Sequence, residues 1–461
     1  MDIRSYVAAL HGKTVAVLGI GVSNTPLIGL LCENGVRVIA CDRKNREALG
    51  DAAAQLETMG AILRLGGDYL KDLHADVIFR TPGMRPDLPE LLAAKERGSL
   101  ITSEMQAFFE VCPCPIIAVT GSDGKTTTTS IIAELLRAAG RTVWLGGNLG
   151  HPLLADAERI RPDDIAVVEL SSFQLLDMTR SPHVAVMTNL APNHLDVHRD
   201  MAEYIAAKEN IIRYQDADDI AVCNLDNDIT RALSAKAKGR ARLFSRREEV
   251  GDGAFVRGGA IWLRAEGAEC KVLDTADIRI PGQHNVENYC AAIAAVDGMV
   301  TDETIRDVAR SFPGVEHRIE FVRSCRGVRW YNDSIASSPT RTIAGLRSFD
   351  QKVILIAGGY DKHIPFTPLG PEIVEHVKLL ILCGATARAI RAAVEDCGTY
   401  RSGAPEIAEC GTLRAAVEYA ARHAGEGDVV TLSPACAAFD QFKNFMERGE
   451  HFKSLVNALD E

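Results

Sequence analysis

The segment IIAVTGSDGKTTTTSIIAELLRAAG, residues 116–140, limits what this chain can fold into more than any other stretch. A β-branched run stops at Gly121-Ser122-Asp123-Gly124-Lys125-Thr126, and an apolar-periodic helix follows at once. That order belongs to a parallel α/β sheet, where a strand delivers its loop to the carboxyl edge and the next helix returns across the face. Glycines let main-chain N–H groups turn toward phosphate oxygens, and the helix N-terminus adds about half a positive charge at the same place. Lys125 would neutralise the β and γ phosphates of ATP, and the Thr126 hydroxyl would hold Mg²⁺, with Thr127 beside it. The loop departs from the standard GxxxxGK[ST], because Val119 stands where that pattern has its first glycine.

Short β-branched runs alternate with helical patterns along most of the 461 residues, which predicts an α/β chain of parallel sheets covered by helices. Three runs lead from strand into glycine: KTVAVLGIG near Val15, PIIAVTGSDGK near Ile116 and KVILIAGGYDK near Val353. Each can open its own unit, and about 100 to 200 residues per domain gives three. The first is expected over 1–108, closed by the prolines of CPCP. The second, 109–312, carries the phosphate loop. The third, 313–461, starts at Pro313-Gly314 and ends on an amphipathic helical segment, FDQFKNFMERGEHFKSLVNAL.

Hydrophobic residues at 47% and charged residues at 25% suit an enzyme with several buried cores. A net charge of -11 opposes a broad nucleic-acid or anionic-membrane surface. The twelve cysteines are scattered, with only Cys112 and Cys114 close together, so reduced and mostly buried thiols are expected, without a zinc set or a disulfide framework. The apolar run Val15–Val22 follows Lys13, lacks a cleavage site and reads as a buried strand. No uncharged apolar stretch reaches about 18 residues. A cytoplasmic location is expected, as a monomer, with no nucleic-acid or membrane partner.

Downstream, VVELSSFQL delivers Glu169 at a strand end, and TNLAPNHLDVHRDMAEYIAAKENI carries His194 and Lys208. Strand-end carboxylates and imidazoles face the ligand position of an open α/β sheet, which makes Glu169 and His194 metal-ligand candidates. Read alone, Glu169 is equally a solvated strand end, His194 a satisfied surface imidazole and Lys208 a helix-surface lysine.

The shortened loop TGSDGKT, followed by GGNLGHPL, ELSSFQL, TNLAPNHLDVH, GQHNVENYCAAIAA, GVEHRIE, NDSIASS, GGYDK and SPACAAFDQFKNF, resembles the Mur ligase and folylpolyglutamate synthetase superfamily along essentially the whole chain. Within the Mur ligases, SPACAAFDQFKNFMERG and ELSSFQL resemble the members that add D-glutamate. The resemblance implies three domains: a Rossmann-like N-terminal domain, a P-loop-type central ATPase domain and a Rossmann-like C-terminal domain. It implies ATP-driven joining of D-glutamate to the L-alanine carboxylate of UDP-N-acetylmuramoyl-L-alanine, through an acyl phosphate, in peptidoglycan precursor synthesis.

Carried over by position, the resemblance gives Lys125, His194 and Lys208 catalytic roles. Thr126, Glu169, His194 and Lys208 would hold two Mg²⁺ ions, Lys208 as a carbamate formed with CO₂. ATP would meet Gly121 through Thr127, with Asn285 at the adenine, Arg318 at the nucleotide and Asp333 at the ribose, in a cleft completed by domain closure. The uridine diphosphate would lie against Val22, Ser23, Asp42, Arg43 and Gly83, with Asn148 adding a contact. D-Glutamate would meet Lys362, Ser337 and the backbone around Phe439 and Phe445.

Read without the resemblance, Asn285 serves as a helix cap, Arg318 as a surface cation, Asp333 as an Asx-type turn and Lys362 as a solvent-facing lysine. Two positions depart from the familiar pattern: Ile335 follows NDS where a lysine is common, and Ala438 replaces a serine hydroxyl before the aromatic. A ligase of the superfamily using another amino acid or a folate stays open on the sequence. An NAD-dependent oxidoreductase built on LGIGVSN would leave the GKT loop, Glu169 and His194 without work; that loop has Asn24 where a dinucleotide fingerprint wants its third glycine. A non-catalytic nucleotide-binding protein would be expected to lack one of Lys125, Glu169, His194 or Lys208.

Overall fold

The computed structural model describes residues 1–194 and 197–460. Three sheets organise the chain. The first has five parallel strands in the order 62–65, 37–42, 14–18, 77–80 and 100–102. The second has nine, ordered 268–274, 260–265, 253–257, 240–245, 220–224, 184–187, 116–120, 165–169 and 143–147. The third has six, ordered 320–325, 328–332, 429–432, 353–357, 377–382 and 406–409. This is the α/β architecture that the alternating pattern implies.

Within these sheets, strand 253–257 pairs antiparallel with 260–265, which pairs antiparallel with 268–274, and 320–325 pairs antiparallel with 328–332. The first reversal is made by Gly258 and Gly259 at φ +59° and +74°, the left-handed values that a two-residue hairpin requires.

Strand Ile116–Thr120 is flanked on both edges, pairing in parallel with 165–169 and 184–187. All five of its residues are buried, and a strand covered on both faces calls for such an unbroken apolar run. The register sets Val119 beside Glu169 and Thr120 beside Met187, so the glycine loop leaves the sheet next to the carboxylate.

The chain forms two compact units, Met1–Thr275 with Glu287–Val308, and Ala276–Val286 with Ala309–Glu461. One continuous apolar core, including Val15, Phe79, Phe108, Ile116, Val168 and Tyr204, serves the first two sheets. The third sheet is packed on both faces, by one cluster around Trp330, Val430 and Phe452 and another around Leu355, Leu380 and Val394. All twelve cysteines are free thiols, most of them buried. Among the described residues, no helix is long and apolar enough to cross a membrane.

Two elements differ from the sequence reading. The helical segment before CPCP runs from Glu104 to Val111, capped by Ser103, and so reaches past the boundary expected at residue 108. The last helix is Phe445–Asn457, shorter than the amphipathic pattern, because the Asn444 side chain accepts from the Glu447 N–H and fixes the start there.

Glu104 ties its helix to the second sheet's flank: its carboxylate accepts the Leu154 N–H at 2.8 Å. Burial raises its pKa from 4.5 to about 7, partly opposed by main-chain hydrogen bonds. The sign follows. Unfolded, the group ionises near 4.5, so the folded state holds its full advantage below that pH and loses it as pH rises through about 7. The loss is on the order of 3 kcal/mol. Glu104→Gln keeps the accepting oxygen and removes the charge, so urea melts at pH 5 and pH 8 should show a flatter pH dependence than wild type. An unchanged difference between the two pH values would contradict this reading of Glu104.

Candidate active site

The phosphate loop is braced from behind by side chains of its own compact unit. Ser122 is buried, its hydroxyl donating to the Ala191 carbonyl at 2.9 Å and lying 2.8 Å from the Tyr204 hydroxyl. The Asp123 N–H donates to the Asn189 side chain at 2.9 Å, and the Asp123 carbonyl accepts the Thr188 hydroxyl at 2.6 Å. Gly124 takes φ +77° immediately before helix Lys125–Ala138, and a side chain there would meet Asn288 Oδ1 at 2.5 Å. Lys125 opens the helix and folds back over its loop, Nζ donating to the Ser122 carbonyl at 3.0 Å. Thr126 is half-buried and Thr127 buried in the first turn, while Asp123 is exposed. The loop is held open by its neighbours, with its helix N-terminus available to an anion.

Lys208 is the largest departure from its reading as a helix-surface lysine. On helix Met201–Arg213 it is only 1% exposed. Its Nζ donates to Thr120 Oγ1 at 3.0 Å and to the Gly121 carbonyl at 2.9 Å, and lies 5.1 Å from the centre of the Tyr204 ring. Burial, and then the charge of Lys125, hold its pKa well below the ordinary lysine value, with Glu169 and Asp123 opposing. The helix turn places Tyr204 and Lys208 four residues apart on the same face.

Glu169 is 2% exposed, which overturns its reading as a solvated strand end. One carboxylate oxygen accepts the Asn148 side-chain amide at 2.5 Å. The other is buried without a hydrogen-bond partner among the described residues. A buried carboxylate oxygen left unpaired is costly unless something meets it.

His194 is exposed, at φ +54°, and stands edge-on to Phe173 at 5.1 Å. Phe173 lies four residues beyond Glu169 in the chain. His198, absent from the sequence reading, stacks on Phe173 at 5.3 Å and bonds to Ser172 Oγ at 2.9 Å. The Glu169 carboxylate and the hydroxyls of the first helical turn are oxygen donors of the kind a hard divalent cation takes, and the His194 imidazole could add a nitrogen.

In the first sheet, Val22 is 69% exposed and Ser23 occupies the N-cap position of helix Asn24–Glu33. Asp42 ends its strand, its carboxylate accepting the N–H groups of Ile20 and Lys44 at 2.7 and 2.8 Å. It thereby shapes the glycine turn, and Arg43 beside it is exposed. Gly83 is exposed on a loop that the fully buried Arg80 secures, donating to the Thr81, Pro82 and Met84 carbonyls and pairing with Asp177. Asn148 is exposed apart from its bonds to Glu169.

The other compact unit holds the remaining candidates. Asn285 is buried in the first turn of its helix, its side chain donating to the Pro281 carbonyl at 2.6 Å. Arg318 is half-buried. The Asp333 carboxylate accepts the Ser433 hydroxyl at 2.7 Å and the Ile319 N–H at 3.3 Å, and burial pushes its pKa up to about 7. The Asx-type turn falls one residue earlier, at Asn332, which accepts the Ser334 N–H. Lys362 and Ser337 meet directly, Nζ donating to Oγ at 3.2 Å. Phe439 is 62% exposed and edge-on to Tyr360, and the Phe445 carbonyl accepts the Ser334 hydroxyl at 2.7 Å.

Arg448 organises these loops and was not foreseen. It is 4% exposed and donates to Ser334, Cys436 and Ala437 carbonyls and to Ser334 Oγ. Its place four residues before the buried Phe452 on helix Phe445–Asn457 is the sequence signal for that burial.

Comparison with known proteins gives the same answer from a different direction. Residues 119–296 match the Mur ligase middle domain, and 317–436 match the Mur ligase glutamate ligase domain. A UDP-N-acetylmuramoylalanine–D-glutamate ligase of Acetivibrio thermocellus is 53% identical over 462 residues, covering 99% of each chain. The chain is a Mur ligase. Its relative of the same name in Clostridium novyi is 49% identical, over 98% of each chain. Among solved structures, the UDP-N-acetylmuramate–alanine ligase of Thermotoga maritima covers 97% of this Mur ligase at 18% identity and a TM-score of 0.57, a likeness of fold.

Proposed function

We propose that this Mur ligase uses ATP to join D-glutamate to the L-alanine carboxylate of UDP-N-acetylmuramoyl-L-alanine in the cytoplasm, acting as a monomer in peptidoglycan precursor synthesis. The observation that carries the reading is the buried Lys208 amine held against the phosphate loop, with Glu169 and its unpaired oxygen at the adjoining strand end. The names of its full-length relatives supply the substrates.

The chemistry asks for such a site. A carboxylate is a poor electrophile, so the γ-phosphoryl group is first passed to one of its oxygens, giving an acyl phosphate and ADP. The D-glutamate amine then attacks the carbonyl carbon, and phosphate leaves with the former carboxylate oxygen. Bringing two anions together is opposed by charge, which the loop N–H groups, the helix terminus and the Lys125 ammonium offset. Thr126, Glu169, His194 and Lys208 would hold two Mg²⁺ ions, which when bound supply further positive charge at the phosphates.

Lys208 serves this role as a carbamate. An ammonium beside Lys125 would be repelled, whereas CO₂ addition turns the amine into an oxygen donor. The amine nitrogen is held by Thr120 Oγ1 and the Gly121 carbonyl beside the Tyr204 ring, and the one N–H that a carbamate retains can keep one of these two acceptors. Asn285, Arg318 and Asp333 are assigned to the nucleoside end of ATP, and Val22, Ser23, Asp42, Arg43, Gly83 and Asn148 to the uridine diphosphate. Lys362 and Ser337 present a cation and a hydroxyl to a D-glutamate carboxylate, with main chain near Phe439 and Phe445 completing the donors around Ile335 and Ala438.

A panel of amines tests the substrate. With ATP, Mg²⁺ and UDP-N-acetylmuramoyl-L-alanine, phosphate release should depend on D-glutamate and be weak with L-glutamate, D-aspartate, L-lysine and meso-diaminopimelate. Turnover with another amine but none with D-glutamate would overturn the amino-acid assignment and leave the reaction class standing.

A further inference from the structure

Cys112 and Cys114 flank Pro113 in the crossover from helix Glu104–Val111 to strand Ile116–Thr120. Their sulfurs lie 3.5 Å apart, and the Cys112 thiol donates to the Cys114 carbonyl at 3.6 Å. Two residues of extended chain span at most about 7 Å, so the Cα separation cannot exceed by much the roughly 4.4–6.8 Å that a disulfide accepts. The two thiols are not equivalent. Cys114 is 2% exposed and belongs to the apolar core, whereas Cys112 is half-buried at the helix end.

A hydrogen bond from Cys114 lowers the Cys112 pKa against the effect of burial, and the same bond, followed by burial, raises that of Cys114. One sulfur is thus within reach of solvent and inclined to ionise, while its neighbour stays protonated and shielded. That is the division of labour between an attacking and a resolving thiol. The ligase reaction uses neither.

We propose that Cys112 and Cys114 form a thiol–disulfide exchange site for low-molecular-weight disulfides, with Cys112 as the attacking and Cys114 as the resolving sulfur. The Cys112 thiolate attacks one sulfur of the small disulfide, and the other sulfur leaves as a thiolate that takes up the proton Cys112 released. Cys114 then loses its proton and attacks the Cys112 sulfur of the mixed disulfide, expelling the second small thiol. Two protein thiols are oxidised and one small disulfide is reduced to two thiols. The new bond fastens the end of helix Glu104–Val111 to the strand that leads into the phosphate loop.

The reduced full-length protein is treated with oxidised glutathione, the free thiols are alkylated, and peptides are mapped by mass. The expected result is loss of two alkylatable thiols, at Cys112 and Cys114, in one peptide lacking two hydrogens and restored by dithiothreitol. Cys114→Ser should accumulate one glutathione on Cys112, and Cys112→Ser should give neither cross-link nor adduct at Cys114. Both variants should keep the wild-type ligase rate before oxidation, which establishes that they are folded. Wild-type protein that retains glutathione on Cys112 without the cross-link overturns the proposal. So do two thiols left unreacted, or Cys114 modified as fast in Cys112→Ser as Cys112 is in Cys114→Ser.

Discussion

Lys208→Ala should reduce ligation to background, and short carboxylic acids should restore part of it. The side chain is buried where the strand passes into the phosphate loop, in contact with Thr120, Gly121 and Tyr204, so its removal opens a lysine-sized void there. If its role is to present a carbamate oxygen, the loss is that of a charged group acting on the transferred phosphoryl group, about 10²–10³-fold or more. Formate or acetate can enter the void and present the same kind of oxygen. Steady-state rates with and without added acid check this. A fully active variant, or an inactive one that neither acid improves while its thermal stability is unchanged, would remove Lys208 from the metal site.

Gly121→Ala should be nearly as damaging for a different reason. Gly121 sits at φ +153°, and a Cβ built there falls 1.8 Å from Thr188 Oγ1 and 3.1 Å from the Asn189 carbonyl. Moving Thr188 aside would break the bonds of its hydroxyl to the Asp123 carbonyl at 2.6 Å and the Thr120 carbonyl at 3.3 Å. The loop must shift outward, taking Ser122 and Lys125 with it. Overpacking of this kind costs on the order of 1–3 kcal/mol in stability. Displacing phosphate donors by about 1 Å costs about 10²-fold in rate. A lowered melting temperature together with loss of ATP-dependent turnover is expected, and wild-type values of both would show that the loop has slack the packing does not suggest.

The strand, glycine loop and helix of residues 116–140 were legible because each step has a local cause: a buried run, a turn that needs glycine and an apolar period. Lys208 was harder. Its neighbours in YIAAKENI look like an ordinary amphipathic helix, and only the packing of Tyr204, Ala207 and Ile211 around it shows that the lysine lies on the buried face. Glu169 could be placed at a strand end from sequence, but its burial depends on the register with Val119, a long-range fact. Asn285 and Asn288, three residues apart, fall in different compact units, which no local pattern announces. The Gly258-Gly259 hairpin and the Asn444 cap did have local signals, in a glycine pair and in an asparagine three residues before a glutamate.

The central claim is that the chain activates a carboxylate by phosphorylation before joining it to an amine. Its most direct test uses UDP-N-acetylmuramoyl-L-alanine labelled with ¹⁸O in the alanine carboxylate. The account predicts that each phosphate released on ligation to D-glutamate carries one labelled oxygen. Phosphate free of label, formed at the same rate as the amide, would contradict it.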